Sequence, residues 1–355
     1  MLEGILIYLS VILPVRNEEK FIAQTLDMLV RQTYPPERFE IIIVDGKSED
    51  RTCKAVEDFI HAHPGINIRL LENPGLWSSR GRNIGLRVAK GQMIAIIDGH
   101  VHIPNGMLFA NIEGLREKQQ AYCLARPAPL DVPEISTGIA YWIAMARKNW
   151  LGHSRNSYIY SDHEGFIDPM SSGFAYDRSV FDKVGYFDES FDAAEDVEFH
   201  YRLKVAGISA YTSPDLMIYS YPRSTFYGLF YQQTRYGTGR AKLVIKHPAS
   251  WTKETSIPSL ILVFIALTLS ALLLPFTPRV LRLFFVAGTA AYALLLLGAA
   301  SLQTLKQRRV FMAFPVALAI CITHMGLGWG FLQTIFRSKS GVLSAKTKIG
   351  GKLLD

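Results

Sequence analysis

The chain has 355 residues, a formal net charge of +7 and a hydrophobic fraction of 49%. That length accommodates one α/β domain of about 200–250 residues and a substantial remainder. Cys53, Cys123 and Cys321 lie far apart with no C-x-x-C spacing, which argues against a disulfide framework or a cysteine zinc site. The positive charge gathers beside apolar runs, at Arg235, Arg240, Lys242, Lys246 and Lys253, then Lys306, Arg308 and Arg309, then Arg337, Lys339, Lys346 and Lys348. This placement points to lipid headgroups and phosphates. No nucleic-acid-binding motif is present.

In chain order, residues 2–15 are apolar, but Glu3 replaces the basic start of a signal peptide and no small-residue cleavage site follows. Residues 10–15 predict a buried strand. Helical spacing over 18–32 places Phe21, Ile22, Leu26, Leu29 and Val30 on one side. Residues 39–44 predict a second strand, closed by Asp45-Gly46, and Ser48-Glu-Asp-Arg-Thr52 resembles a capped helix start. A helix over 52–61, a strand over 66–71, a helix over 80–89 and a strand over 92–97 follow. Strand and helix thus alternate, with strands apolar throughout, the pattern of a mostly parallel sheet covered on both faces. The stretch from 120 to 230 is less regular, with short strands near 122–125 and 209–212 and a helix over 196–206. Beyond it, uncharged runs of 20, 20 and 27 residues at 257–276, 283–302 and 310–336 are each long enough to cross a bilayer.

Two acidic stretches carry the chemistry. Asp98 ends the strand Ile94-Ala-Ile-Ile and is followed by Gly99-His100, so a carboxylate and an imidazole can share a divalent cation, Mg²⁺ or Mn²⁺, that bridges a diphosphate. The other reading of Asp98 is a capped turn, and of His100 an ordinary hydrogen-bonding residue. Glu195-Asp196 opens a helix, where it either complements the helix dipole or supplies a base for an acceptor hydroxyl. Asp45 either accepts from a nucleobase or ribose, or closes a turn. Gln232-Gln233-Thr234-Arg235-Tyr236 lies between an aromatic stretch and the first apolar run; it predicts an interfacial amphipathic segment with Arg235 on a phosphate, or a plain aromatic belt with a snorkelling arginine.

The ordered set Val11-Ile-Leu-Pro-Val-Arg-Asn-Glu18, Ile43-Val-Asp45-Gly-Lys-Ser-Glu-Asp50-Arg-Thr52, Gly81-Arg-Asn83-Ile-Gly85, Ile96-Ile-Asp98-Gly-His100, Gly185-Tyr-Phe-Asp188-Glu189, Glu195-Asp196 and Gln-Gln-x-Arg-Tyr resembles the family 2 glycosyltransferases of GT-A fold, over roughly residues 8–240. Arg235-Tyr-Gly-Thr-Gly-Arg240 and the three terminal runs are more specifically similar to the succinoglycan-type membrane glucosyltransferases of exopolysaccharide assembly. The resemblance implies inverting transfer from a nucleotide-diphosphate sugar, a UDP-hexose, to a polyprenyl-linked or other lipid acceptor. It implies nucleotide-sugar contacts at Pro14, Arg16, Glu18, Asp45, Arg80, Asn83, Asp98 and Gly99, and metal at Asp98 and His100. Asp196, beside Glu195, matches the catalytic base, and Gln232, Gln233, Arg235 and Tyr236 match the acceptor and pyrophosphate element.

Two positions depart from the family pattern: His100 stands where a second Asp is usual, and Tyr236 where processive synthases carry Trp. The first bears on the identity and strength of the metal; the second, together with the small number of spanning segments, argues for adding one sugar rather than a polymer. The implied organisation is a GT-A domain over 1–225, an interfacial segment over 226–253, transmembrane helices over 254–337 and a basic tail over 338–355. A multi-pass plasma (inner) membrane protein with a cytoplasmic catalytic domain is expected, although three full spans then place the basic tail outside, against the positive-inside tendency. Two rival readings are a polyprenyl-phosphate sugar transferase, whose anionic acceptor needs no base, and a non-catalytic transferase-like subunit.

Overall fold

The computed structural model describes residues 8–130, 138–153 and 157–339. Both the extreme N-terminal residues and most of the basic tail, including Lys346, Lys348 and Lys352, lie outside them. The chain divides into two compact units. Residues 8–130 and 157–221 form the first, and residues 138–153 and 222–339 the second.

The first unit is an α/β sheet. Its strands are β1 (Leu9–Val15), β2 (Phe39–Asp45), β3 (Ile68–Glu72), β4 (Met93–Ile96), β5 (Val101–His102), β6 (Cys123–Ala125), β7 (Gly165–Ile167), β8 (Gly173–Asp177), β9 (Ala210–Thr212) and β10 (Tyr219–Ser220). Its helices are α1 (Ile22–Val30), α2 (Thr52–Ala62), α3 (Ser78–Val88) and α4 (Leu108–Gln119), then, after α5 (Gly138–Lys148) of the second unit, α6 (Ser179–Val184) and α7 (Glu195–Val205). Eight strands run in the order β3-β2-β1-β4-β8-β6-β9-β7. The β3-β2-β1-β4 half is parallel, as the alternation of strand and helix predicts. Past β4 the sheet turns mixed: β8 enters antiparallel to β4, and the strands there have three to five residues.

The central strands are apolar on both sides because each side has its own core. Val11, Leu13, Ile41 and Ile43 pack with Leu26, Leu29 and Phe109 on one face. Ile12, Ile42, Val44 and Ile94 pack with Leu86, Phe199 and Leu203 on the other. The rigid sheet therefore holds its strand ends, where Asp45 and the Asp98 loop emerge, at fixed positions.

Helix α1 begins at Ile22, four residues later than the apolar spacing predicts. Asn17 adopts a left-handed φ of 56°, and the backbone N–H groups of Asn17, Glu18 and Glu19 donate to Ser48 Oγ, Thr52 Oγ1 and Asp50 Oδ2. Those bonds tie the segment to the loop after β2, so it cannot wind into the helix.

The second unit is helical: α5, then α8 (Phe226–Lys246), α9 (Lys253–Leu273), α10 (Arg279–Lys306) and α11 (Ala313–Lys339). Three helices, Lys253–Leu273, Arg279–Lys306 and Val310–Ser338, are long and apolar enough to cross a membrane. Their surfaces carry exposed Leu260, Leu269, Leu273, Leu283, Phe284 and Leu294, which suits lipid and not water. The segment read as interfacial is a 21-residue helix, α8, with one face packed against α11. A Cβ on Gly237 would strike the Leu327 carbonyl, and one on Gly330 the Thr234 carbonyl, so the two backbones approach as only glycine permits. Helix α5 lies where the sequence pattern is irregular; Ile143, Met145 and Ala146 bury against Leu229, Leu296 and Val316.

Candidate functional site

The β4 strand hands directly into Asp98. Gly99 follows because a Cβ there would come within 2.9 Å of Val15 Cγ1 and 3.1 Å of Glu18 Cγ. The Gly99 carbonyl accepts from Thr25 Oγ1 at 2.9 Å, and His100 Nδ1 pairs with Glu18 Oε1 at 2.7 Å. Glu18 thus fixes the imidazole ring, in the manner of a carboxylate that orients a metal-binding histidine. The Asp98 side chain is about half exposed and lies 3.8 Å from Arg126 Nη2. Desolvation acts to raise its pKa, but the charges of His100, Arg126 and Arg82 outweigh it and hold the carboxyl below its usual value.

The acidic pair opens α7, and the residue before it, Ala194, has a left-handed φ of 60°. Such a conformation is costly for alanine and marks a position held by its surroundings. The two acids then diverge. Glu195 is buried, accepts from Ser78 Oγ and lies 3.2 Å from Arg82 Nη2. Asp196 is only half-buried, and its Oδ1 accepts from the Val197 N–H at 2.8 Å. Arg82, 12% exposed, feels the charges of Glu195, Asp196 and Asp98, and Arg126, 11% exposed, those of Asp98 and Asp196. Asp98 and the acidic pair, about a hundred residues apart in sequence, therefore gather around two buried guanidinium groups.

Arg82, Arg126 and Ser78 were not singled out from sequence. Arg82 sits between the motif residues Gly81 and Asn83, which is the one available signal for it; Arg126 carries none.

The other motif residues spread along the same unit. Asp45 is buried, and its oxygens accept from Ser48 N at 3.0 Å and Ser48 Oγ at 2.5 Å, so it closes the turn after β2. Arg16 pairs with Glu49 at 3.3 Å on the surface. Pro14 lies where α3 comes close to β1, opposite Gly81. Arg80 is exposed, 3.9 Å from Glu189. Asn83 donates to the Phe187 carbonyl and to Glu189 Oε1 and accepts from Phe187 N, all within 3.0 Å, so its amide anchors α3 to the loop before α7.

In the second unit, α8 splits the Gln-Gln-x-Arg-Tyr element between its faces. Gln233 is fully buried and accepts from Arg147 Nη1 at 2.9 Å, while Tyr236 is exposed and Gln232 and Arg235 are intermediate.

Residues 10–185 match the family described as Glycosyl transferase family 2, and residues 131–332 match Glycosyl transferase family group 2. The chain is a family 2 glycosyltransferase. This glycosyltransferase is 28% identical over 240 residues to a dolichyl N-acetyl-α-D-glucosaminyl phosphate 3-β-D-2,3-diacetamido-2,3-dideoxy-β-D-glucuronosyltransferase of Methanococcus voltae, a match covering 67% of the chain and 74% of that relative. It is 25% identical over 331 residues to the succinoglycan biosynthesis protein ExoA of Rhizobium meliloti, covering 92% of the chain and 94% of ExoA. Its fold is similar to that of the mannosyltransferase PcManGT from Pyrobaculum calidifontis, solved with GDP-Man and Mn²⁺, at a TM-score of 0.56 and 20% identity, over 89% of this chain and 86% of that one.

Among the described residues, no three His, Cys, Asp or Glu side chains converge as a complete metal site. Asp98 with an oriented His100 nevertheless offers a carboxylate and an imidazole. That partial donor set would suit a divalent cation such as Mg²⁺ or Mn²⁺.

Proposed function

We propose that this glycosyltransferase moves one sugar, with inversion, from a nucleotide-diphosphate sugar such as a UDP-hexose to a lipid-linked acceptor at the plasma (inner) membrane. The observation that carries this reading is the gathering of Asp98, Asp196, Arg82 and Arg126 within the sheet unit. The names of the Methanococcus voltae relative, a dolichyl-linked sugar transferase, and of ExoA, a succinoglycan biosynthesis protein, support the lipid-linked and exopolysaccharide settings.

Asp196 is the base, because it is the half-exposed member of the pair, whereas Glu195 is committed to Ser78 and Arg82. The acceptor oxygen attacks the anomeric carbon from the face opposite the leaving group, its proton passes to Asp196, and the bond to the diphosphate breaks with its electron pair leaving on the nucleoside diphosphate. Arg82 and Arg126, themselves largely buried, stand ready for that developing charge as preorganised cations. Asp98 and His100 would hold a Mg²⁺ or Mn²⁺ ion, which would supply positive charge to the diphosphate. Glu18 orients His100, and Asp45, Arg16 and the loop around Gly46 shape the nucleotide end. Gln232, Arg235 and Tyr236 serve the acceptor. The sheet unit faces the cytoplasm, where nucleotide sugars are made.

The test is transfer by the detergent-solubilised chain across UDP-, GDP- and dTDP-sugars, beside Asp98→Ala. Release of one nucleotide, lost on chelation and lost in the variant, is expected. Equal turnover in Asp98→Ala would overturn the metal-assisted reading.

A further inference from the structure

We propose that Tyr176 and His200 are positioning residues, a buried pair that holds Asp196 in register with Arg82, Arg126 and the Asp98 loop. The inference rests on the reading of Asp196 as the base. It adds the two side chains through which the fold keeps that base in place.

Asp196 takes its position from its helix. Its Oδ1 accepts from the Val197 N–H, a bond inside the first turn of α7, so the carboxylate goes where α7 goes. Four residues on, one turn further along the same helix face, stands His200. Its Nε2 shares a 2.7 Å hydrogen bond with the Tyr176 hydroxyl, and the two residues are 3% and 1% exposed. This bond ties α7 to β8 one turn below Asp196. Neither ring has room to drift. Tyr176 packs edge-on against Phe181 and Phe199, with ring centroids 5.7 and 5.2 Å away. A Cβ on Gly173 would come within 2.7 Å of His200 Nε2 and 3.1 Å of Cys123 Sγ, so β8 lies tight against the imidazole.

Tyr176 is where the pieces of the site meet. On β8 it pairs with Ile94 of β4 on one side and Cys123 of β6 on the other. Strand β4 leads to Asp98, and Arg126 directly follows β6. The hydroxyl lies within electrostatic reach of Arg82, Arg126 and Asp196 together. Burial, ahead of every neighbouring charge, raises its pKa well above the usual tyrosine value, so it stays a neutral phenol. A neutral hydroxyl fixed by a hydrogen bond adds an oriented dipole among three charges without competing with them. Phenylalanine would fill the same space. It would lose the link to α7 and take from His200 Nε2 its buried partner.

The experiment is a double-mutant cycle on the full chain in detergent. It reads kcat, donor KM and melting temperature with the UDP-, GDP- or dTDP-sugar that the parent chain turns over. Tyr176→Phe is expected to lower kcat by at least about tenfold, because a slightly misplaced base is costly, with donor KM held within about twofold. His200→Leu should reproduce that loss. His200→Gln, which still offers Tyr176 a hydrogen-bonding group, should recover most of the rate, as a purely space-filling role would not allow. In the Asp196→Asn background, Tyr176→Phe should change kcat by less than about twofold, since a base already removed cannot be misplaced further. Should Tyr176→Phe fold poorly, the two His200 variants carry the same test. Additive losses, with Asp196→Asn itself impaired, would overturn the positioning role alone. So would parent-like kcat in a folded Tyr176→Phe, or a loss that lies in donor KM. Near-normal turnover in Asp196→Asn by itself would overturn the base assignment, and this proposal with it.

Discussion

The two units of this glycosyltransferase hold their functional residues by opposite means. In the sheet unit, side chains bind one another: Asp45 with Ser48, Glu18 with His100, Glu195 with Ser78 and Arg82, Asn83 with Phe187 and Glu189. The loops near the strand ends also hold left-handed backbone at Asn17, Lys47 and Ala194. In the helical unit, position comes from side chains that are missing: Gly237, Gly326 and Gly330 let α8 and α11 meet backbone to backbone. The difference teaches where each unit is fragile. An isosteric change that removes one charge should damage chemistry in the first, and one added methyl group should damage folding in the second.

The largest expected effect tests the first half of that contrast. Asp196→Asn keeps the shape of the side chain and removes the proposed base, so turnover should fall by about 10²–10⁴-fold with nucleotide affinity and melting temperature retained. Near-normal turnover would take Asp196 out of the role. Next in size is Gly330→Val, whose Cβ meets the Thr234 carbonyl. Overpacking of this kind costs about 1–3 kcal/mol, so thermal unfolding in detergent should shift downward clearly. A melting curve identical to that of the parent chain would show that α8 and α11 do not pack this closely.

How much of this was legible beforehand follows from where the signal lives. Asp98 and the Glu195-Asp196 pair could be read, because an acid after a buried apolar strand and two acids at a helix start are patterns of local sequence. The parallel half of the sheet could be read for the same reason, from strands of four to seven residues with helices between them. Strands β6, β7 and β9 have three residues each, too few to show a period, so the mixed half of the sheet could not. Arg82 and Arg126 are two of 38 lysines and arginines, and only the fold says that they flank the acids. Helix α5 and the burial of Gln233 likewise depend on packing within the second unit, which local sequence does not encode.

A smaller effect concerns the sheet unit away from the candidate site. Asp177 is buried, accepts from Ser179 Oγ at 2.6 Å and pairs with Arg116 at 2.7 Å. Burial acts to raise its pKa, but the bonds from Ser179 and Arg116 prevail and lower it. With the folded value below the unfolded one of about 3.9, its stabilisation is fully present above that pH and is lost as pH falls through the folded value. Asp177→Asn should cost about 2 kcal/mol at pH 7, from loss of charged hydrogen bonds, and the gap to the parent chain should close below about pH 4. A gap that persisted in acid would assign the loss to packing.

The smallest effect separates charge pairs that organise the candidate site from those that only decorate it. Arg16 and Glu49 approach to 3.3 Å, but Glu49 is 80% exposed and Arg16 38%. Water and salt screen such a pair, and its worth is about 0–1 kcal/mol. Glu49→Gln should therefore leave the melting temperature nearly unchanged and should matter even less in 0.5 M salt. The Arg16 guanidinium, freed from Glu49, keeps its place at the end of β1, so nucleotide affinity should hold steady or rise slightly. A fall in affinity of tenfold or more would show that Glu49 aims Arg16 at the donor, and the pair would then join the interlocked side chains of the sheet unit.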